Sequence, residues 1–180
     1  MILAITMQDI TEKARQIRLV IFDVDGVLTD GSLFFGDDGQ EYKAFNSKDG
    51  HGIRMLLENG IEAAIITGRE SSVVTHRMDN LGIPHVLQGR REKLPAYEEI
   101  KDLTGFEDSE IAYIGDDVID LPVMKKVAFA VAVQDAHPYV KQHAHWQTPS
   151  CGGRGAARDL CEMILDAKGL LPAILESYLR

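Results

Sequence analysis

Cysteine is scarce in this chain. Cys151 and Cys161 are the only two. They make no disulfide framework and no CxxC pair, so a reducing cytoplasm is the simplest compartment to expect. Basic charge is short as well. Asp and Glu number 28 against 19 Lys and Arg, a formal net charge of -9, which argues against a general nucleic-acid binder and its basic stripe. The N-terminal stretch MILAITMQDITEKARQ has no basic opening and turns polar after about six residues, too little for a signal peptide or a membrane span. Internal repeats, low-complexity tracts and obvious linkers are missing too. What is left is an ordinary globular composition over 180 residues, enough for one domain, 1–180, with a sizeable core.

Apolar strand-like runs alternate with helix-like stretches. IRLVIFD (17–23), IEAAIIT (61–67), PHVLQ (84–88), EIAYIGD (110–116) and VAFAVAV (127–133) suit parallel strands covered on both faces. Between them, 49–60, 70–82 and 91–105 carry apolar residues at helical spacing and close on Gly60, Gly82 and Gly105. The alternation predicts an α/β fold with a doubly wound, Rossmann-like parallel sheet. GSLFFGDDGQEYKAF (31–45) breaks the pattern and reads as a β-hairpin inserted after the first strand. Asp30 marks the turn into it. From about 155 to 180 the tail reads as one or two helices.

The chemistry gathers at the strand ends. The first strand runs into Asp23 and Asp25, the second into Thr67, Gly68 and Arg69. Lys93 opens the helix after the third, and the fourth ends in Asp116 and Asp117, with Asp120 a turn later. In a parallel sheet these ends share one edge. So many acids repel one another unless a cation neutralises them, and oxygen ligands without His or Cys point to a hard metal, Mg²⁺ by preference. A metal among carboxylates beside a lysine suits a phosphate. One carboxylate can attack phosphorus to give an aspartyl-phosphate, and an acid two residues on can protonate the leaving oxygen and later deprotonate water.

DVDGVLTD, ITGR, Lys93 and GDDVID resemble, in order and spacing, the four motifs of the haloacid dehalogenase superfamily of phosphatases. The resemblance covers about residues 17 to 135. It implies Asp23 as nucleophile, Asp25 as general acid/base, Thr67 and Lys93 as phosphate binders, and Asp116 as a metal ligand together with Asp23 and the backbone carbonyl of Asp25. Asp117 and Asp120 then orient Lys93 or metal-bound water.

Many members of that superfamily cover the site with a cap domain. Here about forty residues separate Asp25 from Thr67 and about twenty-five separate Thr67 from Lys93, too few for a globular cap. The apolar hairpin residues Leu33, Phe34, Phe35, Tyr42 and Phe45 suggest a lid supplied by a neighbouring copy. In NSKDGHGIR (46–54), Ser47 or Asp49 can cap a helix whose free N–H groups favour an anion. Arg54, Arg69 and Arg77 suit carboxylate and phosphate recognition.

FDVDGVLTDG, the hairpin, FNSKDGHGIR and PSCGGRGAARDLCEMIL resemble more closely one capless family, the 3-deoxy-D-manno-octulosonate 8-phosphate phosphatases, over nearly the whole chain. That family hydrolyses a sugar acid phosphate with Mg²⁺ in lipopolysaccharide synthesis and forms homotetramers. The resemblance implies that Asn46, Ser47, Lys48, Asp49, Gly50, Arg54, Arg69 and Arg77 help hold the substrate, beside Asp25 and Lys93. GGRG (152–155) looks like a strap able to reach a neighbouring site, with Arg154 as its anion contact. No nucleic acid or membrane partner is expected. A phosphatase for a nine-carbon sialic-type acid phosphate, a protein phosphatase acting through the open site, and a non-catalytic oligomerisation module of the same fold are the competing readings.

Overall fold

The computed structural model describes residues 6–180, so the apolar start of the N-terminal stretch, 1–5, lies outside the described residues. In chain order, α1 (Met7–Gln16) leads into β1 (Leu19–Phe22). The hairpin strands β2 (Phe34–Phe35) and β3 (Glu41–Tyr42) follow, then α2 (Ser47–Glu58), β4 (Glu62–Ile66), α3 (Ser72–Leu81) and β5 (His85–Leu87). After α4 (Lys93–Thr104) come β6 (Ile111–Gly115), α5 (Leu121–Met124), β7 (Phe129–Ala132), α6 (Pro138–Lys141) and β8 (Trp146–Gln147), and the chain closes with α7 (Ala156–Ala167) and α8 (Leu171–Ser177).

The five apolar runs are five of the six strands of one sheet, ordered β5-β4-β1-β6-β7-β8, with every neighbouring pair parallel. β1, β6 and β7 are buried along their whole length, because helices cover both faces, as continuous apolar strands require. Helix α7 packs on α1 and α2, and α4 packs on α5. The strands and the apolar faces of these helices merge into one core. α3 and α4 stop at Gly82 and Gly105 in the left-handed conformation, as the sequence signals them to.

Besides the four-residue α5, three elements have no counterpart among the runs read from the sequence. α1 is short but has a capping box, in which Thr6 and Asp9 exchange hydrogen bonds. α6 and the edge strand β8 are too short to show a period. One of the apolar residues at helical spacing in 91–105, Leu103, is exposed rather than packed under α4.

The topology places the site. From β1 the chain steps outward to β4 and β5, then returns to β6 on the other side of β1. The crevice between the carboxyl ends of β1 and β6 is therefore the switch point where such sheets bind ligands. Phe22 pairs with Ile65 on one side and Ile114 on the other, which brings Asp23, Thr67 and Asp116 to one edge. Only the hairpin, α2 and β4 lie between Asp25 and Thr67, and only α3 and β5 between Thr67 and Lys93. Neither interval contains a cap domain.

Candidate active site

Asp23 directly follows β1 and is buried; its N–H donates to the Ile114 carbonyl at 3.2 Å. Lys93, the first residue of α4, is buried too and aims its ammonium inward. Its Nζ lies 2.9 Å from Asp23 Oδ1 and 2.6 Å from Asp120 Oδ1, and donates to the Tyr113 hydroxyl at 3.1 Å. Asp120 is fully buried and saturated. Its Oδ1 also accepts from the Tyr113 hydroxyl at 2.6 Å, and its Oδ2 accepts the N–H groups of Asp116 and Asp117 at 2.9 and 3.1 Å. One carboxylate oxygen from each of Asp23, Asp116 and Asp120 lies within 4.8 Å of the others.

When all three carboxylates are ionised, they leave an excess of two negative charges over the one ammonium in a largely buried place. The electrostatics carry that imbalance. Burial pushes the Asp23 carboxyl up to about 7, against the pull of Lys93 and with the repulsion of Asp120. Burial, then Asp23 and Asp120, push Asp116 up to about 8. Burial alone would lower Lys93, but Asp23 and Asp120 hold it above its ordinary range. Oxygen donors, no His or Cys, and an excess of two negative charges fit one hard divalent cation. Gly26 makes room for this arrangement: it has φ +90, and a Cβ there would run into the Asp116 carboxylate.

Asp25 stands apart from the three. Its Oδ1 pairs with Lys43 Nζ, which also lies 3.0 Å from Glu41 Oε1. Its Oδ2 is buried and has no hydrogen-bond partner, with Arg69 Nε at 3.9 Å. Arg69 Nη2 donates to Glu41 at 3.2 Å, and its guanidinium lies over the Phe35 ring. Burial would raise Glu41, but hydrogen bonds from Lys43 and Arg69 leave it below its usual range. Thr67, at the end of β4, is buried, with its N–H and carbonyl tied to Leu87 and Arg90.

A model of the haloacid dehalogenase-like hydrolases matches residues 85–158. The chain is 48% identical over 163 residues, 91% of its length and 87% of the relative's, to the 3-deoxy-D-manno-octulosonate 8-phosphate phosphatase KdsC of Escherichia coli K12. The chain belongs to the haloacid dehalogenase-like hydrolases. A crystal structure of a 3-deoxy-D-manno-octulosonate 8-phosphate phosphatase from Yersinia pestis superposes with a TM-score of 0.90 at 48% identity, covering 91% of this chain and 89% of that one. The corresponding phosphatase from Moraxella catarrhalis, solved with magnesium, phosphate and KDO, gives 0.94 at 39% identity over 96% and 99%.

In this hydrolase the remaining candidates occupy unlike places. Asp120 holds the Lys93 ammonium at 2.6 Å, whereas Asp117 is exposed and accepts from the Val118 N–H at 2.7 Å, capping its own turn. The cap of α2 is neither Ser47 nor Asp49 but Asn46, whose Oδ1 accepts the Lys48 N–H at 2.8 Å. Asp49 is buried and turned the other way: it accepts the N–H groups of Gly155 and Arg158 at 3.2 and 2.9 Å, closing the N-terminus of α7. Asp49 is thus engaged in helix packing, and the expectation that it holds substrate meets a carboxylate already occupied.

Ser47 and Lys48 are exposed on the first turn of α2. Gly50 is buried under the Arg77 guanidinium, which lies over the Phe45 ring and donates to Asn80 at 3.3 Å. Arg54 lines a surface depression with Leu57, Glu58, Leu81 and Gly82, where α2 and α3 end. Arg154 is exposed and pairs with Asp30 at 3.2 Å. Its strap is seated on the chain's own catalytic-edge loop: Gly153 N–H donates to the Val27 carbonyl at 2.8 Å, and a Cβ on Gly152 would collide with the Gly26 carbonyl.

Three polar residues around these side chains were not among the candidates: Tyr113, Lys43 and its partner Glu41. Tyr113 reads as one more apolar strand position, and nothing in the pattern marks its hydroxyl. Lys43 carried a faint signal: Glu41 and Lys43 alternate along an extended segment and so share a face.

Proposed function

We propose that this hydrolase is a phosphomonoesterase that releases phosphate from 3-deoxy-D-manno-octulosonate 8-phosphate, the step that yields the free sugar acid for lipopolysaccharide synthesis. The reading rests above all on one observation: the cluster of Asp23, Asp116, Asp120 and Lys93 at the β1/β6 switch point belongs to a chain 48% identical, nearly end to end, to a named phosphatase of that sugar acid. The residue roles are proposed as follows. Asp23 attacks phosphorus along the crevice and forms an aspartyl-phosphate; the leaving sugar oxygen takes the proton of Asp25. Asp25 then removes a proton from water, which cleaves the acyl phosphate. Lys93, pinned by Asp120 and Tyr113, faces the phosphate oxygens together with the Thr67 hydroxyl.

Asp23, Asp116 and the backbone carbonyl of Asp25 would hold Mg²⁺, which neutralises phosphate oxygens and the surplus carboxylate charge. Asn46 to Lys48, Gly50, Arg69 and Arg77 form the rim around the sugar acid, and the carboxylate of the substrate suits the arginines. Arg54 and Arg154 would serve a neighbour's site. We propose a homotetramer in which the hairpin closes an adjacent site, since Leu33, Phe34, Phe35 and Tyr42 are all exposed and apolar while Phe45 turns back onto the core. The free thiols of Cys151 and Cys161 suit the cytoplasm. Among the described residues, no helix is long and apolar enough to cross a membrane.

Phosphate release from the eight-carbon substrate, with and without Mg²⁺, tests the activity. Metal-dependent release with a higher kcat/KM than for a nine-carbon sialic-type acid phosphate supports the proposal. A preference for the nine-carbon compound overturns the substrate, and no release from either overturns the enzyme.

A further inference from the structure

Asp25 is the group asked to move a proton, and nothing in the reaction itself explains how its side chain is held. The fold holds it with Lys43. The Lys43 side chain is 1% exposed, a rare state for a lysine unless it is paired. It is paired twice, to Asp25 Oδ1 and to Glu41 Oε1 at 3.0 Å. Glu41 is the end of the β2–β3 pairing, opposite Phe35, so the hairpin anchors Lys43. Arg69, from the loop after β4, closes the group from the other side through Glu41 and lies 3.9 Å from Asp25 Oδ2. The two oxygens of Asp25 are therefore unlike. Oδ1 is taken. Oδ2 is buried and has no hydrogen-bond partner, which is costly in a folded protein unless something binds there.

We propose that Lys43 is a positioning residue for proton transfer. By binding Oδ1 it fixes the carboxyl of Asp25 in one orientation, so that the acid meets the leaving oxygen of the substrate in a single geometry. The inference rests on Asp25 being the general acid. It gives the hairpin a part in the chemistry of its own chain, through the segment that follows β3, besides any lid it forms for a neighbour. The proton still passes from Asp25 to the leaving oxygen; Lys43 neither gives nor takes one.

Leaving groups provide the test. A sugar alkoxide needs the proton, whereas 4-nitrophenolate departs without it. In K43M, kcat on the sugar acid phosphate should fall by about 10- to 100-fold, part of the range a general acid supplies, with KM little changed. On 4-nitrophenyl phosphate it should fall by less than about 3-fold, which also shows that the variant is folded. K43R should recover most of the loss. In a D25N background, K43M should cost nothing further on the sugar substrate, as expected for two groups acting as one unit. If K43M does not fold, K43Q takes its place. Equal losses on both substrates, the same loss in the D25N background, or no loss at all would overturn the role of Lys43. If D25N itself hydrolysed the sugar substrate as fast as the unaltered enzyme, the acid assignment under the proposed function would be the part that fails.

Discussion

The carboxylate edge and the rim around it are built on different terms. At the edge, Asp23, Lys93, Tyr113 and Asp120 are buried and bonded to one another, and Asp120 alone accepts four hydrogen bonds. At the rim, the arginines lie on the surface or on aromatic rings, and the hairpin exposes Phe34 and Phe35. The edge stores repulsion that a cation and a phosphate can relieve. The rim stores unused contact area and unsaturated guanidinium groups. Under the proposed function, the difference means that chemistry is fixed within one chain, while substrate choice is left to adaptable parts and, in the proposed assembly, to neighbours.

Substitution of Asp23 gives the largest expected effect. D23N should lower kcat by about 10⁴-fold or more, as loss of a nucleophile does. It should also raise the Tm of the metal-free protein, because one repelling carboxylate is gone. A D23N protein that is less stable would mean the edge is not repulsive, and the contrast with the rim would fail.

Lys93 is the counterpart. K93M removes the ammonium shared by Asp23 and Asp120 and should cost about 3–5 kcal/mol in urea unfolding, the usual range for breaking a buried pair. Added Mg²⁺ should return part of it.

The pH dependence follows from the same charges. Asp23 and Asp116 hold protons in the folded state up to about 7 and 8, whereas in the unfolded chain both release them near 3.8. Between these values the folded protein binds more protons, so stability falls as pH rises. Metal-free Tm should therefore decline between about pH 4 and pH 8 and level off above, and saturating Mg²⁺ should flatten the decline. A metal-free Tm that rises over this window would contradict the assignment.

Asp49 sharpens the comparison from the packing side. D49A strips two acceptor bonds from the start of α7 and should cost about 1–2 kcal/mol of stability, as lost helix caps do, with kcat/KM little changed. A drop in kcat/KM larger than the stability loss explains would return Asp49 to the substrate site. Arg154 should give the smallest effect. R154A breaks an exposed pair with Asp30 and should change stability by less than about 0.5 kcal/mol in urea unfolding.

The contrast also explains which features are legible in the amino-acid sequence. Parallel strands under two helical layers announce themselves as continuous apolar runs, and each functional strand end carries a residue type with few other uses there. The placement of Asp23, Thr67, Lys93 and Asp116 along one edge of the sheet was therefore legible. Asp49 was not, because a carboxylate in a first helical turn looks the same whether it serves that helix or, as here, one more than a hundred residues away. Tyr113 hides in an apolar strand because only its hydroxyl departs from the pattern. Lys43 looks like a solvated hairpin lysine until the chain folds back and places it on Asp25. Rim positions depend on long-range packing, which local spacing does not encode.

Transfer of the phosphoryl group to Asp23 is the step on which the proposed function turns. Rapid acid quench of the enzyme turning over ³²P-labelled 3-deoxy-D-manno-octulosonate 8-phosphate with Mg²⁺, followed by peptide mapping, tests this. The predicted result is transient label on the peptide that contains Asp23, absent in D23N. Turnover without label on that peptide, or label that persists in D23N, would contradict it.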